Sequence, residues 1–104
     1  MDSSGWVSVR CVFRDTGTGK QLYEERITLW RADDVDVGIS RAEQEAKNYA
    51  EVNSVEYLGL AQAYLIAELP ADGSEIFSLV RGSDLGPDDY LDTFFDTGEE
   101  RQRT

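Results

Sequence analysis

Residues 6–14 read Trp6-Val7-Ser8-Val9-Arg10-Cys11-Val12-Phe13-Arg14, and in this run Val7, Val9, Cys11 and Phe13 alternate with Ser8, Arg10, Val12 and Arg14. A repeat of two is the period of a β-strand, whose successive side chains point to opposite faces, so the run predicts a strand with one face buried. The following Asp15-Thr16-Gly17-Thr18-Gly19-Lys20 is made of turn residues with little to bury. Residues 22–32 then return with strand formers, among them Tyr23, Ile27, Thr28, Leu29 and Trp30. Together the two runs predict a hairpin.

At Asp33-Asp34 the period changes. Ile39, Ala42, Ala46, Tyr49 and Ala50 recur at spacings of three and four, which places them on one stripe of a helix. Asp33 or Asp34 is a suitable N-cap, Asp36 adds a favourable negative charge to the first turn, and the helix is expected to end near Asn53. Arg41, Glu45, Lys47 and Asn48 read as its solvated face. Residues 55–69 are apolar in both alternating sets, with Val55, Tyr57, Ala61, Ala63 and Leu65 in one and Leu58, Leu60, Tyr64 and Ile66 in the other. That pattern predicts a strand covered on both faces. Pro70-Ala71-Asp72-Gly73 signals a tight turn, after which residues 74–81 are expected to return as a fourth strand. Pro87 can open a short helix, with Asp88 and Asp89 in its first turn, Tyr90, Leu91, Phe94 and Phe95 on one side, and Gly98 closing it.

The fold expected is therefore α+β, in one domain spanning residues 1–104 with flexible tails at 1–5 and 99–104. Two hairpins make a mainly antiparallel four-stranded sheet in ββαββα order, with the long helix on one face. A second apolar set, drawn from Trp6, Val12, Trp30, Leu60, Tyr64 and Ile66, then needs its own cover. The C-terminal helix or the sheet of a second subunit could supply it.

A chain of 104 residues buries roughly two thirds of the surface that its unfolded form exposes, which allows one core. Its 40% apolar and 11% aromatic content argues against disorder in spite of a formal charge of −11. The 21 acidic residues stand against 10 basic ones that are scattered along the chain, so direct binding to nucleic acid or to an anionic membrane is not expected. The N-terminal residues lack the charge and apolar run of a signal peptide, and no stretch is long and apolar enough to span a bilayer; a cytoplasmic location is the expectation. Cys11 is the single cysteine, which excludes an intrachain disulfide.

The chain has no histidine, so Ser-His-Asp and Cys-His catalysis and the usual zinc sites are excluded. Cys11 alternates with Val9 and Phe13, which makes it a small core residue rather than a nucleophile. Gly17-Thr18-Gly19-Lys20 is a hairpin loop and not a phosphate loop, because position 14 is Arg14 where that pattern needs Gly, and Gln21 follows the lysine where it needs Ser or Thr. Carboxylates remain as acid–base candidates. Glu43 is the odd one, lying beside the helix's apolar stripe, where a long side chain commonly reaches out to water. The densest acidic run is Asp84, Asp88, Asp89, Asp92, Asp96, Glu99 and Glu100; its spacing does not fit a calcium loop, and it reads as a solvated helix face or as a docking surface for a basic partner. No cofactor or metal is expected.

Leu22-Tyr23-Glu24-Glu25-Arg26-Ile27-Thr28-Leu29-Trp30, the helical Glu43-Gln44-Glu45-Ala46 and the later Glu75-Ile76-Phe77-Ser78-Leu79 resemble a family of short bacterial proteins, domain of unknown function 4288. The resemblance runs over residues 6–95 and implies a bacterial source. It carries no site residues across to this chain.

The reading that follows is a non-enzymatic accessory or immunity-type protein that binds another protein, either a basic one or a second copy of itself. Its candidate contact residues are Trp6, Trp30, Tyr64, Asp88, Asp89, Asp92 and Asp96. The alternatives are an acidic mimic of nucleic acid that occupies a basic groove, and a small enzyme or small-molecule binder built from Tyr23, Glu25, Arg26, Tyr57 and Tyr64.

Overall fold

The alternating run at the N-terminus forms β1 (Trp6–Asp15), the central strand of a three-stranded antiparallel sheet in the order β2-β1-β3. The structure is a computed structural model and describes residues 5–17 and 19–102. Most of the expected N-terminal tail (residues 1–4), position 18 of the hairpin loop and the last two residues, 103 and 104, lie outside the described residues. β2 (Leu22–Arg31) pairs with β1 in unbroken register from Trp6↔Arg31 to Asp15↔Leu22, which is the expected hairpin. β3 (Glu56–Ile66) takes the other side of β1, and the register shifts between Cys11 and Phe13 at a bulge where Gly59 has φ 79°.

α1 (Val35–Asn53) connects β2 to β3 across one face of the sheet. Asp34 caps it as expected, its carboxylate accepting from the Val37 amide at 2.9 Å, and Ser54 closes it in the left-handed region with φ 56°. The helix buries Gly38, Ala42, Ala46 and Ala50 against Val7, Val9, Cys11 and Phe13. Each of Val7, Val9 and Phe13 is fully enclosed, a burial that contributes about 1.5–3 kcal/mol per side chain. Small residues on the helix allow a close approach, and at Gly38 it is closest: a Cβ there would stand 2.6 Å from Val7 Cγ1. α1 lies over β1 and β3 more than over β2.

The described residues bear out α+β but depart from the expected strand count. The order observed is strand, strand, helix, strand, helix, and residues 74–81 form no strand. The turn itself is present, with the Ser74 amide donating to the Ala71 carbonyl at 3.0 Å and Gly73 at φ 83°. Residues 67–70 stand between it and the end of β3, however, and a two-residue hairpin needs its turn directly on the ladder. The chain instead crosses the face of the sheet opposite α1, where the Ser8 hydroxyl donates to the Ile76 carbonyl. β3 in turn is an edge strand and is not covered on both faces, since Leu58, Leu60 and Leu65 are exposed.

α2 (Pro87–Phe94) begins at Pro87 as expected, with Asp88 and Asp89 in its first turn. It buries none of its residues and packs against no other described helix or strand. It therefore does not serve as the second cover of the sheet.

Gly38→Ala puts a methyl into the Val7 side chain. Overpacking costs about 1–3 kcal/mol, against a helix-propensity gain of about 1 kcal/mol. The expected outcome is a lower urea midpoint with an unchanged slope, measured by circular dichroism.

Candidate functional site

Register assigns the faces. Val7, Val9, Cys11 and Phe13 stand opposite Trp30, Thr28, Arg26 and Glu24, so these β2 side chains share the α1 side. There they build a polar latch. The Arg26 guanidinium donates to both Glu45 oxygens at 3.1 and 3.2 Å and stacks 3.6 Å from the Tyr49 ring centroid. Tyr49 donates to Glu24 at 2.7 Å and Tyr57 donates to Glu43 at 2.6 Å, with both rings against Phe13. Glu43 thus points inward to a partner rather than out to water, and Glu45 belongs to this cluster rather than to the solvated face of α1. Only a tertiary register could bring Glu24, Arg26 and Tyr57 to one helix.

Beside the Arg26–Glu45 ion pair, the latch holds two neutral groups, Tyr57 and Cys11. Burial and then the Glu43 hydrogen bond drive the Tyr57 phenol well above its ordinary range, and burial pushes the Cys11 thiol up although the Tyr57 hydroxyl partly opposes it. Neither group is a ready nucleophile at neutral pH. The acid–base candidates of the sequence do not converge: Arg26 and Tyr57 face α1, whereas Tyr23, Glu25 and Tyr64 face the opposite side.

On that opposite side the strap of residues 74–77 holds β1 and β3. Besides the Ser8 contact, Tyr64 donates to Glu75 and packs on Phe77, and Arg10 lies over Phe77 while bonding Gln62 at 2.9 Å and Glu25 at 3.3 Å. The Glu75 bond raises the Tyr64 phenol. Ser8 was the one legible hint of this strap, being a hydroxyl set among apolar neighbours, and it is completely buried.

Tyr23, Ile27 and Leu29 project from β2 on the strap side and remain exposed, Tyr23 by 57%. An open cleft of about 1450 Å³ separates residues 20–27 from residues 98–102. α2 is similarly bare. Arg81 bonds the Tyr90 hydroxyl at 2.9 Å and lies over Phe94, but Leu91, Phe94 and Phe95 stay exposed, Phe95 by 72%.

Among the sequence candidates, Trp6 and Trp30 fall on opposite faces, which corrects the expectation that both belong to the uncovered set. Trp30 donates from Nε1 to the Thr28 hydroxyl at 2.6 Å and carries Arg41 over its ring, at the margin of a shallow groove between β2 and α1. Trp6 lies beside Ile66 under Arg31, and its indole N–H is buried without a partner among the described residues. Asp88, Asp89 and Asp92 are exposed on α2 and Asp96 just beyond it, away from both tryptophan sites. The described residues hold no cluster of metal-ligating side chains and no helix long and apolar enough to cross a membrane. No family model, curated protein or solved structure matches the chain.

A raised folded-state phenol favours the folded chain while protonated. The Tyr57 contribution is complete below the ordinary tyrosine value of about 10 and is lost as pH rises from there toward the raised value. In a spectrophotometric titration of the five tyrosines, Tyr57 is expected to ionise last, and Tyr57→Phe to remove that component. The same substitution leaves Glu43 without its donor and lowers stability by about 1–2 kcal/mol.

Proposed function

We propose that this chain is a non-enzymatic interaction protein of the accessory or immunity type, which binds another protein through the strap-side surface of β2 and its own C-terminal arm, residues 85–95. One observation carries this reading. The chain exposes 7770 Å², where a compact monomer of its mass exposes about 5,900 Å². Its radius of gyration is 15.7 Å, against about 13 Å for a compact chain of this length.

Part of what the chain exposes is apolar. Leu85, Leu91, Phe94 and Phe95 in the arm are exposed together with Tyr23, Ile27 and Leu29 on β2. Exposed large apolar side chains grouped on one element mark interaction sites, whereas a solvated tail has no use for aromatic residues on a helix. The missing histidine and the un-ionised Tyr57 and Cys11 support a binding role over catalysis. Asp88 and Asp92 stand one helical turn apart on α2, at spacings of three and four from Leu91 and Phe95, and so border the apolar residues on the same stripe. A cytoplasmic location fits the unpaired thiol.

The test is photo-cross-linking in the native host, with a photoreactive residue at position 95. The expected result is one discrete adduct that disappears when Leu91→Asp is combined with it. A chain recovered only without adducts sinks the proposal.

A further inference from the structure

β2 ends the sheet on one side, and an antiparallel edge strand turns every other amide and carbonyl outward, away from its one neighbour. The two edges of this sheet differ. β3 is interrupted by its bulge and by Gly59 at φ 79°, features that blunt an edge, whereas β2 keeps unbroken register with β1 over ten residues and contains no proline. Its charged side chains do not guard the edge either: Glu24 and Arg26 are drawn back to Tyr49 and Glu45 on α1, and Glu25 to Arg10 on β1. Among the described helices and strands only β1 and α1 touch β2, and α1 touches it at its margin.

The cleft of about 1450 Å³ follows this edge. Its near wall is the continuous run of residues 20–27, and because successive strand residues point to opposite faces, a cleft bordered by all of them runs along the edge rather than over one face. Eight residues at strand spacing span about 26 Å. Small-molecule pockets hold about 300–1,000 Å³, so the cleft is both longer and larger than a small ligand needs. An extended polypeptide suits it, since its main chain can pair with the outward groups of β2 while its side chains alternate to the two sides.

Resting on the proposed binding role, we infer that the edge of β2 takes an extended, basic segment of another protein by strand addition, laid in the cleft between β2 and residues 98–102. Charge names the occupant. Glu99 and Glu100 on the far wall form no ion pair among the described residues, and the chain as a whole carries −11. A second copy brings the same negative excess to this edge and is repelled, whereas a segment rich in lysine or arginine is steered in and held.

The test titrates the full chain with a fluorescent heptapeptide in which lysine and valine alternate, reading anisotropy and the amide exchange of residues 22–31. Two companion peptides are compared: one with glutamate in place of each lysine, and one with every backbone nitrogen methylated, which keeps the charge but removes the pairing donors. The first peptide is expected to bind, to slow exchange at the outward amides of β2 by about tenfold or more, and to weaken as salt rises from about 0.05 M to about 0.5 M. The glutamate peptide is expected to bind about tenfold more weakly, and the methylated one not at all. Glu99→Lys/Glu100→Lys, on a wall outside the core, should weaken the first peptide by about tenfold and leave Cys11 protected from thiol reagents. Equal binding of the methylated peptide overturns strand addition, because charge alone then accounts for the affinity, and equal binding of the glutamate peptide overturns the basic occupant. A free chain at twice the chain mass with its β2 amides protected gives the edge to a second copy, and a free monomer with those amides protected gives it to the chain's own tail; either result overturns the inference. The photo-adduct at position 95 reports the binding role separately: an adduct without peptide binding ends strand addition and leaves that role standing, and the loss of both ends both.

Discussion

β1 is flanked by a strand on each edge and must have both of its faces covered, and the rest of the molecule is arranged around that requirement. Its inward set, Val7, Val9, Cys11 and Phe13, is closed by α1, which comes near enough at Gly38 to leave no room for a methyl. Its outward set includes Ser8, whose hydroxyl cannot be buried without a partner at reasonable cost. The Ile76 carbonyl supplies that partner, and so the segment that might have lengthened the sheet lies over it instead. The Ser8 contact, together with those of Tyr64 and Arg10, holds this segment as a strap over the three-stranded sheet.

β2 has the reverse arrangement of polarity. The residues it turns toward α1 include Glu24, Arg26 and Thr28, while Tyr23, Ile27 and Leu29 face away. The inward polar side chains are tolerated because α1 covers β2 only at its margin and because each charged group meets a partner, Glu24 with Tyr49 and Arg26 with Glu45. The latch is thereby a means of fixing the helix on the sheet, with the Arg26 stack on Tyr49 adding to the ion pair. The apolar residues on the outside, Tyr23, Ile27 and Leu29, stay exposed.

The acidic residues and the apolar arm belong to the same short helix, where Asp88, Leu91, Asp92 and Phe95 recur at spacings of three and four and so share one stripe. Asp88 and Asp92 face solvent, and Leu91, Phe94 and Phe95 carry the unsatisfied surface. Charge acts over about a Debye length whereas apolar burial acts only on contact, so the two kinds of side chain act at different ranges.

Local chemistry alone determined much of this protein. The period of two in residues 6–14, the change of period at Asp33-Asp34, the Asp34 cap, the burial of Cys11 and the start of α2 at Pro87 all follow from neighbours in sequence, since strand alternation, helix stripes and caps are short-range properties. The absence of histidine narrowed the chemistry in the same way. Tertiary structure decided the rest. Whether Trp30 faced α1 depended on the hairpin register, whether Glu43 met water or Tyr57 depended on where β3 lay under the helix, and whether residues 74–81 paired or crossed depended on a hydroxyl some 68 residues earlier. These outcomes turn on which of two compatible surfaces a segment meets. Periodicity gives both surfaces the same pattern, and only the packed chain distinguishes them.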